Sequence, residues 1–288
     1  MLNVIAIAPP SRRIVVCADD YGLTPGVSRG IRELLAAQRI SATSVMTGSE
    51  FWPEEAAVLQ TVAGSADIGL HVTLTDQRPL GPMPTLAPDG RLPPLPKLFR
   101  AALARRLPLG EIEAEIERQL ACFITHYGRP PAHIDGHHHT HQLPGIREIV
   151  VRVAARFGPP RPWVRNCAEP IHRIRRRGVA PLKAAIVGAF GPPTRRLADA
   201  AHVATNRGFS GVYDYRSANR ALAEIFARFL DGAGDGHLVM CHPGYTDAIL
   251  AGRDSLTTGR EAELAFLAGP VWPELLAARN LGLGPLQL

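Results

Sequence analysis

His133-Ile134-Asp135-Gly136-His137-His138-His139-Thr140-His141 is the stretch whose reading decides the fold. In an extended strand successive side chains alternate between faces, so His133, Asp135, His137, His139 and His141 would share one side. Five polar, metal-capable groups cannot face a dry core without partners. They suit a strand whose one side meets a metal or a wet catalytic cleft. The bland alternative is a solvated, His-rich loop.

Working outward, other apolar runs also end in a polar residue. Arg13 to Ala18 reads as a buried strand and stops at Asp19-Asp20-Tyr21-Gly22. Thr24 and Pro25 then have the spacing of an N-cap and first helical residue, with Val27, Ile31, Leu34 and Leu35 on the buried face. A second strand is expected over 40–47 and a helix from about 51 to 62. A third strand, 67–75, carries His71. A long amphipathic helix runs from Glu111 to about His126, and Gly128-Arg-Pro-Pro131 breaks it ahead of the His-rich stretch. Pro162 to Arg165 is a short strand ending in a cation, Ala218 to Leu230 a helix, and Gly236 to Cys241 a strand ending at His242. Thr258 and Glu261 have the spacing of a capping box for the last long helix. One more short strand is expected in the tail.

Strand alternating with helix, without a repeat or a linker, predicts parallel strands and an α/β fold. The expectation is a parallel (β/α) barrel, TIM-like, or a doubly wound sheet, forming a single domain over 1–288. Residues 76–110 and 168–216 are expected to be inserted lid segments. At the C-terminal face of such a barrel, groups distant in sequence gather in one cleft.

The totals narrow the class. At 288 residues the chain can bury one large core. Cys17, Cys122, Cys167 and Cys241 are scattered without C-x-x-C spacing, which argues against a disulfide framework or a cysteine zinc site and fits a reducing, cytoplasmic setting. No signal peptide is read at the start and no stretch is long and apolar enough for an integral membrane segment. The net charge is +6, densest in His172-Arg-Ile-Arg-Arg-Arg177. No nucleic-acid motif accompanies it. A solvated basic helix face is the simplest reading, with attraction to an anionic substrate or membrane surface as the other. The sequence is compatible with a homodimer.

A hydrolytic metal site needs a few fixed ligands and open positions. Asp20, His71 and His137 can supply two histidines and a carboxylate from three strands. Asp19 can then take a proton from an activated water, Arg165 can hold Asp19 ionised, and His242 can protonate a leaving group. Three have a structural alternative: a helix-start charge for Asp20, a satisfied core histidine for His71, a turn hydrogen bond for His242; His137, given its neighbours, is the hardest to explain away. A phosphoesterase or amidohydrolase using His139 and His141 as extra ligands is a second enzyme reading. A metal-stabilised binding protein without turnover, which the resemblance below would make a carbohydrate binder, is a third.

Ala18-Asp19-Asp20-Tyr21-Gly22, Gly69-Leu70-His71-Val72-Thr73-Leu74-Thr75, the His133–His141 stretch and Met240-Cys241-His242-Pro243-Gly244 resemble, in order, the motifs of the YdjC-like carbohydrate deacetylases. That family includes chito-oligosaccharide deacetylases and deacetylases associated with hopanoid biosynthesis. The resemblance implies a distorted barrel related to the NodB-type deacetylases. It also implies removal of the acetyl group from an N-acetylated sugar with one divalent metal ion, magnesium or zinc. It assigns Asp19 as general base and Asp20, His71 and His137 as metal ligands, and it matches Arg165 to an arginine orienting the base and His242 to the catalytic acid. Asp135-Gly136 is nearer the Asp-Ser of the chito-oligosaccharide branch than the Asn-Ala of the hopanoid branch. Residues 168–216 match no family segment.

Overall fold

The computed structural model describes residues 12–215 and 222–287. Its centre is β1 (Arg12–Tyr21), whose last eight residues are all buried. Around it run β2 (Ala42–Val45), β3 (Asp67–Val72), β4 (His133–Gly136), β5 (Trp163–Val164), β6 (Gly208–Ser210), β7 (His237–Cys241) and β8 (Leu281–Leu283). The order is β5-β4-β3-β2-β1-β7-β6, with β8 beside the start of β1. Every pairing is parallel. A further parallel bridge joins Val164 to Thr205, just ahead of β6, and ties the two ends of the sheet together. The result is the expected distorted barrel.

Helices cover the outside because each strand pair needs a crossover. They are α1 (Pro25–Ala36), α2 (Trp52–Val62), α3 (Leu95–Leu103), α4 (Leu109–Tyr127), α5 (Ile146–Ala155), α6 (Ile171–Arg177), α7 (Pro181–Ala189), α8 (Gly191–Ala200), α9 (Leu222–Phe229), α10 (Thr258–Ala268) and α11 (Val271–Ala277). Thr24 caps α1 by accepting from Val27 N, Pro25 opens it, and Val27, Ile31, Leu34 and Leu35 are buried, as the pattern predicts. Gly128, at φ 78°, ends α4 in the left-handed conformation that favours glycine. The helix expected from Ala218 is seen from Leu222; its first residues lie outside the described ones. No described helix is long and apolar enough to cross a membrane.

Two local expectations are corrected. The extended reading of the His-rich stretch holds only to Gly136. Residues His137–Gln142 form a 3-10 turn in which His138 and His139 have φ of 54° and 58°. The period-two alternation therefore lapses after Asp135. The capping box at Thr258 is absent too: Thr257 is the cap position without a side-chain bond, and Glu261 instead accepts from Thr246 N at 2.9 Å.

Segment 76–110 contains α3. Segment 168–216 contains α6, α7, α8 and β6, so part of it belongs to the barrel wall.

Candidate active site

Strand ends assemble the site. Asp19 and Asp20 close β1, His71 lies near the end of β3, His137 follows β4, Arg165 follows β5 and His242 follows β7. Adjacent residues on a regular strand point apart. Here the β1–β2 register shifts between Ala18 and Tyr21, and Asp20 takes φ 72°. That irregularity turns both carboxylates toward one cleft. Asp19, Asp20, His71, His137 and His242 all line a cavity of about 270 Å³. Leu95 from α3, and Lys183 and Val187 from α7, form its outer wall.

Three ligand atoms converge. Asp20 Oδ1 lies 3.1 Å from His137 Nδ1 and 3.3 Å from His71 Nε2. One atom from each of Asp20, His71 and His137 lies within 4.8 Å of the others. The second polar atoms of His71 and Asp20 are occupied elsewhere. His71 Nδ1 donates to Asp135 Oδ1 at 2.6 Å, which aims Nε2 at the cleft. Arg260 Nη2 donates to Asp20 Oδ2 at 2.6 Å and leaves Oδ1 facing the histidines. A carboxylate behind a ligating histidine is the usual support of a metal site. The donor set, its directions and its access to the cavity thus fit a divalent ion.

Two other buried groups have metal-like spacing: Cys17 with His133 and Asp135, and Asp19 with His71 and Asp135. Asp135 and His133 do not reach the cavity, and Asp135 is already bonded by Ser44, His71 and Arg165. These groups form a hydrogen-bonded network inside the barrel. His133 stacks on Trp163 with centroids 4.3 Å apart. Gly69 makes that room: a Cβ there would lie 2.3 Å from the His133 ring.

Charges are set by these neighbours. Burial alone would raise the Asp20 carboxyl, but Arg260 and His137 outweigh it and hold it well below the usual range. Asp135 behaves likewise: burial raises it, and Arg165 and His71 bring it well down. Burial opposes a proton on His71, yet Asp135 and Asp20 lift it to about 10. The same carboxylates favour a cation in place of that proton.

Arg165 is fully buried. Its Nη1 and Nη2 donate to Asp19 Oδ2 and Oδ1, both at 2.6 Å, and Nη2 also reaches Asp135 Oδ2. This fork holds Asp19 as an oriented carboxylate on the cavity wall. His242 is half-buried and its ring meets the Tyr215 ring edge to face at 5.1 Å. Burial lowers His242 to about 4, so the resting imidazole is neutral. Its Nδ1 has no hydrogen-bond partner among the described residues.

The histidines expected to extend the site do not. His141 is buried and its Nε2 bonds the Arg165 carbonyl at 3.0 Å. His139 lines the cavity but contacts Cys167 Sγ and Phe209, and belongs to none of the ligand groups. Three residues escaped sequence reading: Asp135 as the support of His71, and Arg260 and Glu263 on α10. Glu263 accepts from the His242 backbone N and from Tyr213 Oη. Burial raises its carboxyl to about 7. The signal for this pair was legible: Arg260 and Glu263 share a helix face with Leu264 and Leu267, where charge is out of place.

Comparison with known proteins follows the same lines. The family model described as YdjC-like protein matches residues 13–278. A Serratia marcescens chitooligosaccharide deacetylase is 32% identical over 275 residues, covering 95% of this chain and 98% of its own. A Mus musculus carbohydrate deacetylase is 32% identical over 265 residues, covering 85% and 82% respectively. An Enterococcus faecalis crystal structure, provisionally described as a cellobiose-phosphate cleavage protein, superposes with a TM-score of 0.73. It is 22% identical, covers 94% of this chain and 96% of its own, and supports the fold. With motifs at the strand ends, a matching barrel and these likenesses along nearly the whole chain, the protein belongs to the YdjC-like family.

Proposed function

We propose that the chain is a metal-dependent hydrolase that removes the acetyl group from the nitrogen of an N-acetylated amino sugar and releases acetate. The observation that carries this reading is the convergence of Asp20, His71 and His137 in a cavity that also presents the paired carboxylate Asp19. The deacetylase names of the Serratia marcescens and Mus musculus relatives support it.

Asp20, His71 and His137 would hold one divalent ion, magnesium or zinc. When bound, such an ion supplies Lewis acidity that polarises an amide carbonyl and acidifies nearby water. Asp19 is the general base: its carboxylate, oriented by the Arg165 fork, accepts the proton of the attacking water. Arg165 positions that base. His242, neutral at rest with an unpartnered Nδ1, would carry to the departing sugar amine the proton that Asp19 removes from the attacking water, which leaves both groups as they began. Glu263 fixes the His242 backbone and so its aim.

A two-metal phosphoesterase or amidohydrolase needs further ligands. His141, engaged on a backbone carbonyl, does not offer itself. A protein that only binds sugar would not need Asp19 and Arg165 in their bidentate arrangement.

The direct test is acetate release from N-acetylglucosamine oligosaccharides. Release is expected with added magnesium or zinc and not with a chelator; no release from any acetylated amino sugar would refute the reading. Asp135→Asn tests the support of His71. It is expected to weaken metal binding by about 10- to 100-fold. Unchanged affinity in a metal titration would show that Asp135 serves the barrel interior alone.

A further inference from the structure

The rim of the cavity has a surface that the hydrolytic reading does not use. On α7, Lys183 and Val187 face the cavity. About a quarter-turn away on the same helix, Leu182 and Ile186 stand 75% and 51% exposed. These two are four residues apart and so form one ridge. Ile171 on the adjoining α6 is 51% exposed. Exposed Arg175 and Arg176 flank it, and neither has an ion-pair partner among the described residues. α3 abuts this rim through Phe99, whose ring meets Phe190 at 5.6 Å, and exposes Lys97 and Arg100.

The charge is segregated as well. Residues 90–110 and 170–198 together carry twelve Lys or Arg and no Asp or Glu. The remaining chain holds twenty bases and twenty-six acids and is net negative. The basic excess of the protein is thus concentrated in two segments that each reach the cavity, one through Leu95 and the other through Lys183 and Val187.

We propose that this face docks on an anionic membrane surface, with Leu182, Ile186 and Ile171 entering the interface and the surrounding bases meeting lipid headgroups. Exposed aliphatic side chains beside unpaired bases are the features that bind such surfaces. A second copy of the chain is a poorer occupant: an isologous pair would bring two like-charged rims together. Nucleic acid would satisfy the bases but leave the aliphatic ridge without a counterpart. The docking stands on these surface residues and does not depend on which amide the site cleaves.

Vesicle co-sedimentation of the full chain tests it, with phosphatidylglycerol-containing and pure phosphatidylcholine vesicles. Binding is expected only to the anionic vesicles and should fall as salt is raised. Leu182→Ser with Ile186→Ser, and separately Arg175→Gln with Arg176→Gln, should each weaken it by about tenfold or more. Both variants should keep wild-type acetate release from a soluble oligosaccharide, so loss of docking and failure of the hydrolytic reading are read separately. Absent binding, equal binding to neutral vesicles, or binding untouched by both variants would overturn the proposal. So would a lipid-free change of oligomeric state in the Leu182→Ser, Ile186→Ser protein, which would mark the ridge as a subunit contact.

Discussion

Asp19→Asn is expected to lower kcat for acetate release by about 10²- to 10⁴-fold while leaving metal content unchanged. The amide is nearly the shape of the carboxylate, so the Arg165 fork keeps one acceptor and the cavity keeps its form. What is lost is the site that receives the proton of the attacking water. Because Asp20, His71 and His137 are untouched, the ion should bind as before. Steady-state kinetics with metal analysis on the same preparation separates the two effects. A variant that hydrolyses at the wild-type rate would remove Asp19 from the chemistry. One that loses its metal together with its activity would place Asp19 among the ligands instead.

Arg165→Met is expected to have the largest effect on stability. The guanidinium is fully buried between Asp19 and Asp135, and the exchange leaves two carboxylates without their cation. Removing one partner of a buried ion pair costs about 3–5 kcal/mol. For a chain of this size the melting temperature should fall by roughly 10 °C. The comparison belongs in chelator-treated protein, so that no bound cation offsets the freed charge. Thermal unfolding within a degree or so of wild type would mean that the carboxylates take up protons at little cost and that Arg165 serves orientation alone.

Most of the barrel was legible because its strands are short apolar runs that stop at a polar residue. Ala18 before Asp19-Asp20, and Cys241 before His242, are examples. A charge at the end of a buried strand has few explanations, and its gathering at one barrel face follows from parallel topology. The adjacent aspartates required a break in strand geometry, and the register shift beside Asp20 supplies it.

The His-rich stretch was only half legible. His133 and Asp135 do share the inner face, but left-handed His138 and His139 end the alternation, a conformation that side-chain chemistry does not announce. His141 therefore turns to a backbone carbonyl rather than to the triad. Arg260 and Asp20 are 240 residues apart, and no local pattern pairs them. The helix face that carries Arg260 and Glu263 held a signal of buried charge that sequence reading missed, and their partners emerged only with the fold. Lys183 lies in a basic segment where no motif was recognised in the sequence, although the family model spans it, and only the fold shows its place on the cavity wall.

The central claim is that Asp20, His71 and His137 together hold a single divalent ion. Metal content per chain, measured by elemental analysis after equilibration with zinc and removal of the unbound ion, tests it most directly. The account predicts one ion per wild-type chain and loss of that ion in each of Asp20→Ala, His71→Ala and His137→Ala. Two ions per chain, or one ion retained in all three variants, would contradict it.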